Sequence, residues 1–194
     1  MQKEDKLFSE IYKINQSTNL YMIEIALDHY TDIFNRWDPA PFKRRELDPD
    51  LNLYLEGCSE EIPLHYPIEL CFIIPSAKHS EELEQEARHG LKMNYTFKLY
   101  LLKKELKKNI IKVLRCILLG FGFLALGKFF SSRSVDEGFL TLLSEAVFIG
   151  GWVFLWEAVS IFFFTDYELF HRYRIYKRLR DAPVLFRKAE KCHT

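Results

Sequence analysis

Residues 110–130 read IIKVLRCILLGFGFLALGKFF, and residues 139–164 read FLTLLSEAVFIGGWVFLWEAVSIFFF. Each stretch has roughly the 20 residues that a helix needs to cross ~30 Å of hydrocarbon. A core helix of a soluble protein normally keeps a polar stripe toward water, whereas both stretches are apolar around the whole helix. The sequence therefore predicts two transmembrane helices in an antiparallel hairpin. A buried helix of a soluble protein remains the alternative for the first stretch, because its uninterrupted apolar part is short.

The overall composition of the 194-residue chain does not show that apolar residues are concentrated in these two stretches. Hydrophobic residues make up 48% of the sequence, but 27 Lys+Arg balance 27 Asp+Glu, and the mean hydropathy is -0.13. A net charge of zero provides no whole-molecule attraction to nucleic acid, so none is expected as a partner. Eight glycines and seven prolines are too few for a disordered or fibrous chain.

The residues that flank the two apolar stretches predict their orientation. The short connection SSRSVDEG has one arginine against Asp136 and Glu137, and the first twenty residues lack the apolar run of a signal peptide. Because positive residues collect on the cytoplasmic side, we expect a bacterial inner-membrane protein with both termini in the cytoplasm and membrane lipids around its spans. The basic flanking residues are Lys103, Lys104, Lys107, Lys108 and Lys112 before the first span, and Arg172, Arg174, Lys177, Arg178 and Arg180 after the second.

Two ionisable residues inside the predicted spans, Arg115 and Glu157, are expected to pair. A charge at membrane depth costs about 2.5 to 3.5 kcal/mol even on the mild insertion scale, so each needs a partner or a function. In an antiparallel hairpin, residues at equal depth have numbers with a constant sum, and this rule matches Arg115 with Glu157. It also matches Gly122 with Gly150, one heptad away on the same faces. The alternatives are a pore-lining or proton-handling pair, and an Arg115 that snorkels to the cytoplasmic surface.

The other two intramembrane charges, Lys128 and Glu145, also match in depth. Both point away from the predicted contact between the two helices, and both lie on the same flank of the hairpin. One interpretation is that they reach lipid headgroups or pair with each other across the flank. The other is that this flank contacts a second copy of the protein, which makes a homo-oligomer.

The polar parts of the chain predict an α+β domain with a small mixed sheet. Strands are expected at residues 20–27, 67–74 and 183–188, with the second in the centre. Helices are expected at residues 50–58 and from about residue 81 into the first span. The predicted organisation is a charged N-terminal segment (1–19), a cytoplasmic α+β domain with a membrane-proximal helix (20–108), the transmembrane hairpin (109–164), and a cytoplasmic C-terminal helix and strand that complete the domain (165–194).

The most distinctive polar segment, residues 34–50, combines turn signals with an aromatic and guanidinium cluster. Asp48 is placed to cap a helix that begins at Pro49, and Asp38-Pro39 is typical of a turn. Capping and turn formation leave the cluster unexplained, and it suits an anionic ligand, a lipid headgroup or a protein partner. The candidate binding residues are Arg36, Trp37, Phe42, Arg44 and Arg45.

Part of this segment carries a resemblance. It reads DPAPFKRRELDPD over residues 38–50, and a Lys/Arg-rich helix, a glycine-containing span and the sequence GWVFLW at residues 151–156 follow it. This combination resembles a widespread family of bacterial two-pass membrane proteins of unassigned function with a DPxPFxxRxLDPD-type cytoplasmic motif. The resemblance implies two spans and a cytoplasmic domain, and it provides no catalytic residues.

Motifs that would indicate catalysis or a metal site are missing from the sequence. There is no Gly-rich phosphate loop, GxSxG or HExxH, and the four cysteines and six histidines have no metal-ligand spacing. We therefore expect no cofactor, no metal and no enzymatic activity. The predicted function is a non-enzymatic membrane protein whose cytoplasmic domain binds a protein partner or an anionic ligand. The alternative is a homo-oligomeric pore or membrane-disrupting effector.

Overall fold

A computed structural model describes residues 11–41, 44–75, 80–133 and 138–188. The chain divides into two compact units. Met1–Tyr100 together with Tyr173–Thr194 form an α/β unit, and Leu101–Arg172 form an apolar unit. The strands are β1 (Tyr21–Ala26), β2 (Ile68–Ile74) and β3 (Val184–Lys188); the helices are α1 (Pro49–Glu61), α2 (Glu81–Arg133), α3 (Gly138–Ser160) and α4 (Asp166–Asp181), with a 3₁₀ turn at Tyr30–Ile33 and a π-helical turn at Ile161–Thr165.

The three strands form one sheet in the order β1-β2-β3. The predicted strand positions and the central place of β2 are confirmed. The predicted mixed sheet is wrong, because β2 pairs in parallel with both neighbours: Ile23 aligns with Leu70, and Phe72 aligns with Phe186. Parallel neighbours need long crossover connections, and here helices lie in both connections, α1 in the first and α2 to α4 in the second. The fold is therefore mixed α/β with a small parallel sheet.

The core of the α/β unit is formed by apolar side chains from the sheet and from helices that are distant in sequence. Phe72 of β2 stacks on Phe186 of β3 at 5.4 Å between ring centroids, and Tyr30 packs against the same ring at 5.7 Å. Tyr95 of α2 contacts Tyr176 of α4 at 6.0 Å. Burial of this surface is what orders the unit. The fully buried apolar side chains include Ile23, Ile33, Phe34, Leu55, Ile62, Leu70, Phe72, Ile74, Leu91, Tyr95 and Leu179.

Both ends of α1 are capped. Asp48 accepts hydrogen bonds from the N–H groups of Asp50 and Leu51, at 3.0 and 3.2 Å, as predicted. At the other end, Arg178 of α4 donates from Nη1 to the carbonyl oxygens of Ser59 and Ile62, at 3.0 and 2.7 Å. Burial lowers the pKa of Arg178 to about 10. The cap at the C-terminal end could not be predicted locally, because its donor lies more than 100 residues away.

Two helices that are long and apolar enough to cross a membrane run through the apolar unit. They contact each other through small residues. A Cβ atom on Gly120 would lie 3.1 Å from the carbonyl oxygen of Gly151, and one on Gly127 would lie 3.3 Å from that of Ser144. The predicted Gly122–Gly150 contact is wrong, because a Cβ on Gly122 would have no atom of the described residues within 4 Å and one on Gly150 would meet Phe123. Gly122 lies two residues, or about 200°, around the helix from Gly120.

Candidate functional site

The predicted aromatic and guanidinium cluster lies on a loop of the α/β unit, residues 34–48, which we call the Trp37 loop. Its two ends are held together by backbone pairing. Phe34 and Leu47 form an antiparallel bridge, and the N–H of Asn35 donates to the carbonyl oxygen of Glu46 at 2.8 Å. Both Phe34 and Leu47 are buried. The loop therefore leaves the core and returns to it at one place.

Asp38 holds the interior of the Trp37 loop. Its carboxylate accepts from the N–H of Ala40 at 2.9 Å and from the N–H of Glu46 at 2.7 Å. The first contact confirms the turn predicted at Asp38-Pro39. These backbone hydrogen bonds lower the pKa of Asp38. Asp38 is thus a structural residue of the loop.

Asn94 of α2 fixes the same loop from outside. Its Nδ2 donates to the carbonyl oxygen of Arg45 at 2.7 Å, and its Oδ1 accepts from the N–H of Leu47 at 3.2 Å. Asn94 is half-buried. The sequence did not single it out, because a lone Asn in a long helical pattern has no local signature for a contact with residues almost 50 positions away.

The candidate binding residues differ in their exposure and in their contacts. Trp37 is 93% exposed, and Arg44 is also exposed. Arg36 pairs with Asp32 at 2.9 Å, and Arg45 donates from Nε to the carbonyl oxygen of Ala40 at 3.3 Å. Phe42 lies outside the described residues. The loop thus exposes the Trp37 indole and the Arg44 side chain, while Arg36 is paired with Asp32 and Arg45 helps to hold the loop itself.

Glu157 of the apolar unit pairs with Lys112 rather than with Arg115. Glu157 Oε1 lies 2.9 Å from Lys112 Nζ, and within the described residues no ion pair joins Glu157 to Arg115. Cys116 is buried in line with Gly120 and Gly127. Around the helix Lys112 lies about 40° from Cys116 and about 80° from Gly120, whereas Arg115 lies about 100° and 140° from the same two residues. The face of α2 that packs through its small residues therefore determines which basic side chain, Lys112 or Arg115, reaches Glu157.

Lys128 and Glu145 line one groove of about 430 Å³, together with Ser131, Phe148 and Ile149. Both charged side chains are exposed. In the part of the chain that the structure describes, neither makes an ion pair or a hydrogen bond. The two residues lie on one side of the contact between α2 and α3, because each directly follows a contact residue, Gly127 or Ser144.

The α/β unit contains a cavity of about 480 Å³ that the sequence does not predict, and Tyr12, Lys13, Glu24, Tyr54 and Glu61 are among its lining residues. Tyr12 donates from its hydroxyl to Glu61, and Lys13 pairs with Glu24 at 3.0 Å. Burial raises the pKa of Tyr54 to about 12. These groups come from the segment before β1, from β1 and from α1, so no single sequence window contains them.

Glu69 is a buried carboxylate on the central strand, within the stretch 67–74 that the sequence predicts only as a strand. It is fully buried. Its oxygens accept from Asn15 Nδ2 at 2.6 Å and from Thr18 Oγ1 at 3.1 Å. It therefore ties the segment before β1 to the sheet.

Among the described residues, no group of three or more His, Cys, Asp or Glu side chains is placed to hold a metal ion. Comparisons of the chain with family models, with curated proteins and with solved structures found no match. The candidate site is accordingly defined by its own geometry: a loop closed by the Phe34–Leu47 bridge that exposes Trp37 on the α/β unit, and an apolar helix pair with a charged groove.

Proposed function

We propose that this chain is a non-enzymatic two-pass membrane protein. Its apolar unit inserts as an antiparallel helical hairpin, and its α/β unit lies on the cytoplasmic side. There the Trp37 loop binds a protein partner that presents acidic groups beside an apolar surface.

The exposure of the apolar helices is the observation that carries this proposal. Only 17% of the most apolar 18-residue window of each candidate span is buried. Leu118, Trp156 and Phe164 are each more than 70% exposed. A soluble protein buries its apolar helices, and a monomer rarely exposes a continuous apolar surface of this extent. Lipid is the solvent that favours such a surface.

The helix contacts support the antiparallel arrangement. The pairs Gly120 with Gly151 and Gly127 with Ser144 have the same sum of residue numbers, as antiparallel helices require. Small residues at the contact let the backbones approach, and this packing drives helix association in lipid. The Lys- and Arg-rich flanks of both helices support the cytoplasmic placement of the α/β unit.

An apolar groove of about 500 Å³ beside the π-helical turn also suits lipid. Ile110, Leu114, Phe162 and Phe170 are among its lining residues. A π-helical turn interrupts regular helical packing, and here it leaves aromatic side chains exposed. We propose that lipid acyl chains fill this groove.

The Trp37 loop supports the binding role. An exposed tryptophan on a loop that is held by Asp38 and Asn94 loses little conformational freedom when a partner covers it. Tryptophan and arginine are the residues most enriched at the energetic centres of protein interfaces. The exposed Arg44 would favour a partner with acidic groups.

Insertion and orientation can be tested by cysteine labelling. In a variant without native cysteines, a membrane-impermeant maleimide should label Gly138→Cys in intact cells. It should label Trp37→Cys only after permeabilisation. Extraction of the protein by alkaline carbonate, or labelling of Trp37→Cys in intact cells, would overturn the proposed topology.

Partner binding can be tested with a photo-crosslinking amino acid at position 37. The matched control places the same amino acid at Leu53, which is 71% exposed on α1. We expect a discrete protein adduct from position 37 and none from position 53. Equal adducts at both positions, or only lipid adducts at position 37, would contradict the binding role.

A further inference from the structure

The groove that contains Lys128 and Glu145 has the charge pattern of a self-complementary surface. We propose that two copies of this chain associate through it, with Lys128 of each copy paired to Glu145 of the other. The proposal rests on the membrane insertion proposed above, because lipid is what makes an unpaired charge unfavourable at this place.

The two charges lie at the same level of the helix pair. Lys128 follows Gly127, and Glu145 follows Ser144. A Cβ on Gly127 would lie only 3.3 Å from the Ser144 carbonyl oxygen, so these two residues mark one level of the contact between the helices. The charged side chains emerge from that level on the same side and line one groove of about 430 Å³.

Neither charge is neutralised within the described part of the chain. Both side chains are exposed, whereas Glu157, the other carboxylate of the predicted spans, has Lys112 at 2.9 Å. An ionised side chain without a partner at membrane depth is unfavourable, and such residues usually face another protein surface or a polar cavity. Among the described residues, neither Lys128 nor Glu145 has an oppositely charged group within ion-pair distance, and a second molecule would bring one to each.

A second copy fits this requirement better than a lipid headgroup does. A phosphate would attract Lys128 but would be repelled by Glu145 in the same groove. A two-fold axis parallel to the helices keeps each residue at its own level, so it brings each Lys128 opposite the other copy's Glu145. Phe148 and Ile149, which are 46% and 63% exposed beside the charges, would be covered by the same contact.

Charge reversal in separate copies tests the proposal. The full chain in lipid nanodiscs or mild detergent is examined as Lys128→Glu, as Glu145→Lys and as a co-expressed mixture with different tags. Each variant alone should associate at least about tenfold more weakly, because every intermolecular pair becomes a like-charge pair. The mixture should recover wild-type association as heterodimers, because both of its pairs are again opposite in charge. Arg115→Glu, the same reversal on an exposed side chain outside the groove, should leave association unchanged.

Three results would overturn the proposal. The first is a wild-type chain that is monomeric at its cellular density in the membrane. The second is unchanged association of both single variants. The third is recovery only when both substitutions are in one chain, which would mean that Lys128 and Glu145 pair within a copy. Alkaline carbonate extraction of every variant separates these results from a failure of membrane insertion, which would release the wild-type chain as well.

Discussion

The side-chain amide of Asn94 is joined to the backbone of Arg45 by a 2.7 Å hydrogen bond, which connects α2 to the Trp37 loop. The same amide accepts from the N–H of Leu47. The loop that carries Trp37 is therefore attached at its C-terminal limb to a half-buried residue of another element. Together with the bonds that Asp38 accepts, these contacts order backbone groups of the loop that carries Trp37.

Asn94→Ala is expected to loosen the Trp37 loop. The substitution leaves one carbonyl and one N–H of the loop without their partner and should lower the free energy of unfolding of the α/β unit by about 2 kcal/mol. Denaturant unfolding in detergent and limited proteolysis of the loop would measure the effect. Thr96→Ala is the matched control, because Thr96 is exposed and, among the described residues, its hydroxyl bonds only within α2, to Lys92. Equal stability of the two variants would contradict the role of Asn94.

Gly120→Ala is expected to destabilise the apolar unit. The new Cβ would lie 2.8 Å from the Leu155 side chain and 3.1 Å from the carbonyl oxygen of Gly151. Overpacking of this kind costs about 1 to 3 kcal/mol. In the described part of the chain the new Cβ of Gly122→Ala would have no neighbour within 4 Å, so this substitution should be neutral or stabilising through the higher helix propensity of alanine. Thermal unfolding in detergent distinguishes the two variants. Equal destabilisation by Gly122→Ala and Gly120→Ala would contradict the placement of Gly120 at the contact between the helices.

The partner of Glu157 can be identified by charge exchange. Lys112→Glu should destabilise the helix pair, and the double variant with Glu157→Lys should recover part of the loss, because the pair is restored with its polarity reversed. Arg115→Glu with Glu157→Arg should show no such recovery. Both double variants would be compared with their single variants by unfolding in detergent. Recovery through Arg115 alone would favour the pair that the sequence predicts.

Alkaline pH is expected to destabilise the α/β unit through Tyr95. Burial raises the pKa of Tyr95 well above its ordinary value of 10.0. Above pH 10 the unfolded chain releases the phenol proton while the folded chain retains it. The unfolded state then binds fewer protons, so the free energy of unfolding falls. Denaturant unfolding between about pH 9 and 11 should show this decline, and Tyr95→Phe should reduce its slope. An unchanged slope in the variant would contradict the assignment.

Local signals predicted those parts of the fold that depend on neighbouring residues. Asp48 and Pro49 mark the start of α1 because capping involves only the first turn of a helix. The three strands were located by short apolar runs bounded by turn residues. Their parallel pairing was missed, because pairing depends on how the intervening helices return the chain to the sheet.

The sequence predicts the candidate site only in part, because most of the site depends on contacts between residues that are distant along the chain. Trp37 stands out in the sequence as an aromatic residue among turn signals. Asn94, which fixes its loop, and the cavity beside Tyr12 and Tyr54 are assembled from residues that are distant along the chain.

By itself the sequence determined the two long apolar helices, the positions of the strands and the cap of α1, because hydrophobic length, periodicity and capping are properties of consecutive residues. Only the tertiary structure decided that Gly120 rather than Gly122 faces α3, and that Glu157 consequently meets Lys112. A rotation of one helix by a single residue changes the facing side chains by about 100°. That rotation is set by how small residues fit across the contact, which no single stretch of sequence contains.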